Sequence, residues 1–206
     1  MNILEGIKLR GSPVEIPDCS REDLPQFFVD MGYKVGAEIG VLRGEFTEKF
    51  CQAGLKIYGI DPWISYNNYR RHSREEPYEV MYENTKKRLT PYDCTILRKL
   101  SMDALNDFAD GSLDFVYIDG NHTLRYIVED IYEWNRKVRI GGVVSGHDYA
   151  TNIRGPYSFQ ALHVKYGVDA SVLALRIKNW YLLGRKYALD GEKRDKWRSW
   201  FWIREE

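Results

Sequence analysis

The feature that most constrains this chain is an alternation. Short apolar runs are separated by stretches whose apolar residues recur at helical spacing. The runs are Val35–Ile39, Lys56–Ile60, Cys94–Leu97 and Leu113–Ile118, with a fifth beginning at Val143-Val144. Parallel strands need crossover connections, which helices usually supply, so this order predicts an α/β fold with a mostly parallel, Rossmann-like sheet. Phe46, Phe50 and Ala53 mark one crossover helix. Asp119-Gly120 is a hairpin signal, yet Leu124, Ile127, Val128, Ile131, Trp134 and Val138 follow at helical spacing. Periodicity over that length favours strand–turn–helix.

The flanks are read the same way. Residues 1–34 form a lead-in, irregular over 1–18 with Pro13 and Pro17 as breakers. A helix follows that is capped by Ser20, presents Leu24, Phe27, Phe28 and Met31, and stops at Gly32. Residues 157–166 suggest another helix. Val172–Ile177 and Trp180–Leu183, joined at Lys178-Asn179, read as a hairpin that closes the sheet antiparallel. The aromatic, charged stretch 63–92 is either a substrate lid or an amphipathic helix covering the sheet. Trp197, Trp200 and Trp202 in the tail 190–206 either pack over the core or form an oligomer contact, which would make the chain a homo-oligomer.

Composition narrows the function. A length of 206 residues without repeats or linkers fits one domain. Lys plus Arg and Asp plus Glu are 30 each, so no basic excess supports a nucleic-acid partner. Cys19, Cys51 and Cys94 are scattered and odd in number, which argues against a disulfide framework or zinc site and for a reducing compartment. Neither a signal peptide nor a membrane-length apolar stretch is evident, so the expectation is a cytoplasmic protein with no membrane partner.

In an open α/β sheet, ligands bind beyond the carboxyl ends of the strands. The residues there are Glu38-Ile39-Gly40, Asp61, Leu100-Ser101-Met102, Asp119 to His122, and His147-Asp148. The first loop, Glu38 to Gly44, lacks both GxGxxG and a Walker lysine, which disfavours a dinucleotide and a nucleoside triphosphate. Its glycines serve either a ligand or the geometry of a βα turn. Asp61 could accept from both hydroxyls of a ribose, or simply start an Asp-Pro turn.

Four segments in order, GAEIGVLRGEFTEKF, YGIDPW, LDFVYIDGNHT and GGVVSGHDY, resemble the class I S-adenosylmethionine-dependent methyltransferases. Within them the chain is similar to the small metal-dependent O-methyltransferases of sugars, macrolides and phenols, and to a cephalosporin-hydroxylase-like branch. The resemblance spans about residues 20–185 and implies S-adenosyl-L-methionine as cofactor. It implies that Glu38, Gly40 and Gly44 surround the methionine part, Asp61 holds the ribose, Trp63 packs on the adenine, and Ser101 and Met102 edge it. The acceptor it implies is a small molecule bearing hydroxyl groups.

Asp119 and Asp148 follow the fourth and fifth strands, and two converging carboxylates repel unless a cation or proton intervenes. Oxygen ligands suit Mg²⁺. In resembling enzymes these positions chelate a divalent metal, with a third ligand that is often Glu, Asp or Asn. Here His147 and Tyr149 flank Asp148, and an imidazole ligand at His147 shifts the preference towards Mn²⁺ or other transition metals. His122 is the candidate base for an acceptor hydroxyl. The plainer alternatives are that Asp119 and His122 cap a helix and His147 is a satisfied interior histidine. A nicotinamide-dependent oxidoreductase and a non-catalytic partner domain are the competing functions.

Overall fold

The computed structural model describes residues 1–65, 76–150 and 158–205. Among these residues, eight strands form one sheet: β1 Val14–Ile16, β2 Val35–Ile39, β3 Lys56–Ile60, β4 Cys94–Leu97, β5 Leu113–Ile118, β6 Val138–Tyr149, β7 Tyr181–Leu183 and β8 Arg198–Ile203. Their order is β1-β7-β8-β6-β5-β2-β3-β4, and β8 alone runs against its neighbours. Seven α-helices accompany them: α1 Ile3–Gly6, α2 Leu24–Asp30, α3 Glu45–Gln52, α4 Tyr78–Leu89, α5 Ser101–Ala104, α6 Leu124–Lys137 and α7 Ser158–Ala174.

The strands read as continuous apolar runs because both sheet faces are covered. On β5, Phe115 and Tyr117 face α2 and α3, where Phe28, Phe46 and Phe50 pack. Val116 and Ile118 face the other way, towards Ile127, Ile131 and Trp134 of α6 and Val164 and Val168 of α7. The Ser20 cap is present, as a reciprocal capping box with Asp23 that opens a short 3-10 turn before α2.

Three expectations are corrected at the ends of the chain. Val14–Ile16, placed in an irregular lead-in, is an edge strand paired parallel to β7. Val172–Ile177 is not a strand, since α7 runs through Ala174 and its C-terminal turn takes the rest. The antiparallel partner of β7 is β8, in the Trp-rich tail, and β8 lies between β6 and β7 inside the sheet. Trp200 and Trp202 are fully buried. Of the 63–92 stretch, α4 is a helix with Met81, Thr85 and Leu89 buried. Tyr66, Tyr69 and His72 lie outside the described residues.

No described helix is long and apolar enough to cross a membrane. All three cysteines are free thiols.

Candidate active site

The chain leaves β2 for β3 and β4 on one side, then returns to β5 on the other, so β2 and β5 flank the point where the strand order reverses. The register aligns the strand ends there: Ile39 lies opposite Ile118, and Ile118 opposite Gly146. Gly40, Asp119 and His147 therefore emerge at one level. Gly40 has φ 95°, and a Cβ there would stand 2.3 Å from the Asp119 carbonyl oxygen. Only glycine allows this approach of the first loop to the turn after β5.

Asp61 ties the first loop to β3. One carboxylate oxygen accepts from the Leu42 N–H at 3.0 Å, the other from the Trp63 N–H at 2.7 Å. Trp63, expected to pack on a purine, is 2% exposed; its ring lies against Tyr82 and its Nε1–H donates to the Leu42 carbonyl at 2.8 Å. The Glu38 carboxylate also turns inward, accepting from the Thr47 hydroxyl of α3, and burial pushes its carboxyl up to about 8. Gly44 starts α3 with φ 71°. Ser101 opens α5 beyond the end of β4, and Met102 beside it packs partly against the core.

Past β5 and β6 the acidic and imidazole groups converge. His122 Nε2 stands 3.1 Å from Asp148 Oδ2 and 3.4 Å from Asp119 Oδ1. His147 Nδ1 stands 2.8 Å from Asp148 Oδ1 and 3.9 Å from Asp119 Oδ2. Asp119, His122 and Asp148 each offer a ligand atom within 4.8 Å of the others. Asp148 adopts φ 61°, an uncommon left-handed conformation for a residue with a side chain, where the β6–β8 register shifts between Gly146 and Tyr149. Burial works against charge on both imidazoles, but the two carboxylates outweigh it and raise them. Burial also works against the Asp148 carboxylate, and the two histidines outweigh it and hold the group below the usual carboxylate range.

Three participants escaped the sequence reading. The Arg21 guanidinium lies 3.6 Å from Asp119 Oδ2 and over the Phe46 ring. No local pattern links the helix start at residue 21 to the end of β5. Trp200 donates its indole N–H to the His147 carbonyl at 3.1 Å and packs on Gly146, where a Cβ would stand 2.5 Å from the ring. Asp130, on α6, is 3% exposed and accepts from the Ser101 hydroxyl. A carboxylate on the same helical stripe as Ile127, Ile131 and Trp134 was the available signal for it.

A sequence profile described as a methyltransferase domain matches residues 37–149, more than half of the chain. The chain belongs to this methyltransferase family. The matched span runs from β2 to the end of β6 and includes the first loop, Asp61, Ser101, Asp119, His122 and Asp148. The family is the one that the four motifs resemble, and the fold is the one they imply. A curated Sinorhizobium fredii protein, y4gI, is 27% identical over 117 residues, and the match spans only 12% of that protein's length. Among solved structures, the O-methyltransferase TomG of Streptomyces achromogenes in complex with SAM shares the fold at a TM-score of 0.61. It is 14% identical, with 89% of this chain and 79% of that one covered. A putative rRNA methylase from Clostridium thermocellum also reaches a TM-score of 0.61, at 10% identity, covering 91% and 97% of the two chains. Backbone likeness therefore assigns the methyltransferase fold without choosing between a small acceptor and a nucleic acid.

Proposed function

We propose that this methyltransferase moves the methyl group of S-adenosyl-L-methionine to a hydroxyl of a small molecule, a sugar, glycoside or phenol, with the help of a divalent cation. The observation that carries this reading is the cluster of Asp119, His122, His147 and Asp148 just past β5 and β6, one residue level from Gly40. A nucleic-acid acceptor finds no support in a chain with 30 basic and 30 acidic residues.

The residues fit both groups. The cofactor carries a ribose and no phosphate, in keeping with a carboxylate, Asp61, just past β3 and a first loop without a Walker lysine. The Asp119 and Asp148 carboxylates are a donor set for Mg²⁺ and, with the His147 Nδ1 that lies 3.9 Å and 2.8 Å from them, for Mn²⁺. Asp119 and Asp148 would hold the cation, with His147 as the imidazole ligand. When bound, the cofactor supplies an activated methyl group, and the cation a charge that makes an acceptor hydroxyl more acidic.

The chain's own groups do the rest. With its Nε2–H directed at the Asp148 and Asp119 carboxylates, which fix the ring's orientation, His122, 11% exposed at its side chain, would take the hydroxyl proton on Nδ1. Gly40 brings the cofactor loop against the Asp119 turn, so acceptor and donor would meet across one short gap. Burial of Asp148 and His122 limits water at that point.

Titration calorimetry of the purified chain with S-adenosylhomocysteine, in Mn²⁺ and again in chelator, tests the reading. Binding in both conditions is expected, together with a separate Mn²⁺ isotherm that Asp119→Ala abolishes. Absence of S-adenosylhomocysteine binding in both conditions would overturn the cofactor. An Asp119→Ala protein that still binds Mn²⁺ like the wild type would overturn the metal site.

A further inference from the structure

Asp130 is an expensive residue where it stands. It is 3% exposed on α6, and among the described residues its carboxylate has no ion-pair partner; the Ser101 hydroxyl is its hydrogen-bond donor. Burial, with the neighbouring Glu129 charge adding to it, pushes its carboxyl up to about 7. A buried carboxylate without a cation costs far more than the aliphatic residue its helical stripe calls for. Core packing gives no reason to keep it.

The reason lies in what it does to Ser101. A serine hydroxyl has one proton and two acceptor positions. The proton goes to Asp130 Oδ1. One acceptor position is filled by the Trp134 Nε1–H, 2.7 Å away. A carboxylate ionised above the value of about 7 to which burial raises Asp130 can only accept, and an indole N–H can only donate, so there neither bond can reverse. What remains on the half-buried Ser101 oxygen is a single acceptor position. Ser101 stands just beyond β4, next to the end of β3, where the Asp61 N–H donates to Leu97 at 3.3 Å. Asp130 also reaches the turn after β5, since its Oδ2 would lie 3.7 Å from a Cβ at Gly120.

We infer that Asp130 and Trp134 are positioning residues that make the Ser101 hydroxyl an obligate acceptor, and that the array selects the exocyclic amino group of the cofactor's purine over a carbonyl at the same ring position. This rests on the reading that S-adenosyl-L-methionine places its adenine at the Ser101 edge. An acceptor facing an amino group gains a hydrogen bond, whereas facing a carbonyl it meets a second acceptor and leaves both unpaired.

The test compares S-adenosylhomocysteine with its deaminated analogue S-inosylhomocysteine by calorimetry at pH 8.5, where Asp130 is ionised. The wild type should prefer the amino compound by about tenfold or more. In Asp130→Leu the Ser101 proton is released and can face the carbonyl, so the preference should shrink to within about threefold. Ser101→Ala should shrink it likewise. Asp130→Asn, whose amide oxygen still accepts, should keep it. A purely structural role would weaken both ligands together and leave their ratio unchanged. Asp130→Leu removes a buried charge and should melt no lower than the wild type; if it does not fold, Asp130→Ala gives the same readout. An Asp130 variant that binds S-adenosylhomocysteine with the full wild-type preference overturns the inference. A wild type that binds neither ligand overturns the cofactor reading beneath it.

Discussion

At the scale of single residues, the site concentrates groups that a stable core alone would not choose. His122 and His147 address the same two carboxylates from different nitrogens, which allows their roles to be separated. His122→Ala should lower turnover by about 10²–10⁴-fold while leaving Mn²⁺ and S-adenosylhomocysteine affinity within about threefold, because a lost base affects the chemical step. His147→Ala should instead weaken Mn²⁺. The reverse pattern in steady-state assays and Mn²⁺ titrations would exchange the two assignments. Glu38 yields a prediction about stability. Its carboxyl is pushed up to about 8 from an ordinary 4.5, so the folded chain holds a proton that the unfolded chain has released. The stability contributed by this group is therefore full below pH 4.5 and is lost as pH rises through about 8. Glu38→Gln keeps an acceptor for Thr47 and removes the titration. Between pH 5 and pH 9 the wild type should lose on the order of 1–3 kcal/mol relative to this variant in denaturant melts. Parallel pH profiles would show that Glu38 is not protonated in the folded chain.

At the scale of elements, β8 deserves the weight that its position near the end of the chain hides. It lies between β6 and β7, and Trp200 and Trp202 stack on the face that packs against α6, with ring centroids 5.2 Å apart. Trp202 also donates its indole N–H to Asn135 at 3.2 Å. Trp202→Ala should cost about 3–5 kcal/mol, the range for emptying a buried aromatic site. A loss below about 1 kcal/mol in urea melts would mean that the neighbours collapse into the space. Trp200 links this strand to the chemistry by holding the His147 carbonyl. Removing residues 190–206 would leave β6 and β7 without their shared partner, and the shortened chain should fail to show a cooperative melt.

At the scale of the molecule, the first loop and the acidic cluster meet where Gly40 lies against Asp119, between strands whose ends are in register. Ligands that bind only the folded chain stabilise it by mass action. S-adenosylhomocysteine at about a hundred times its dissociation constant should add about 2.7 kcal/mol, or roughly 5–10 °C in Tm for a chain of this size. Asp119→Ala should keep that shift and lose the one produced by Mn²⁺. A variant that loses both would show that Asp119 supports the cofactor loop itself.

The sequence alone determined the elements whose patterns are local. Runs such as Phe115–Ile118 are apolar because both faces of a parallel strand are buried, and the 127, 131, 134 stripe is helical because one face of α6 is. It also determined which residues follow the strand ends, and hence Gly40, Asp61, Asp119, His122 and Asp148 as the residues to watch. Tertiary structure decided what depends on partners distant in the chain. β1 has only three residues and becomes a strand by pairing with β7, 167 positions later. β8 reads as an aromatic tail until β6 and β7 flank it. Arg21 meets Asp119, Trp200 meets His147, and Asp130 meets Ser101 through packing that no local spacing encodes. Periodicity records how a segment meets the core in general; a hydrogen bond or an ion pair needs a particular atom within about 3–4 Å, and only the assembled sheet and helices set that distance.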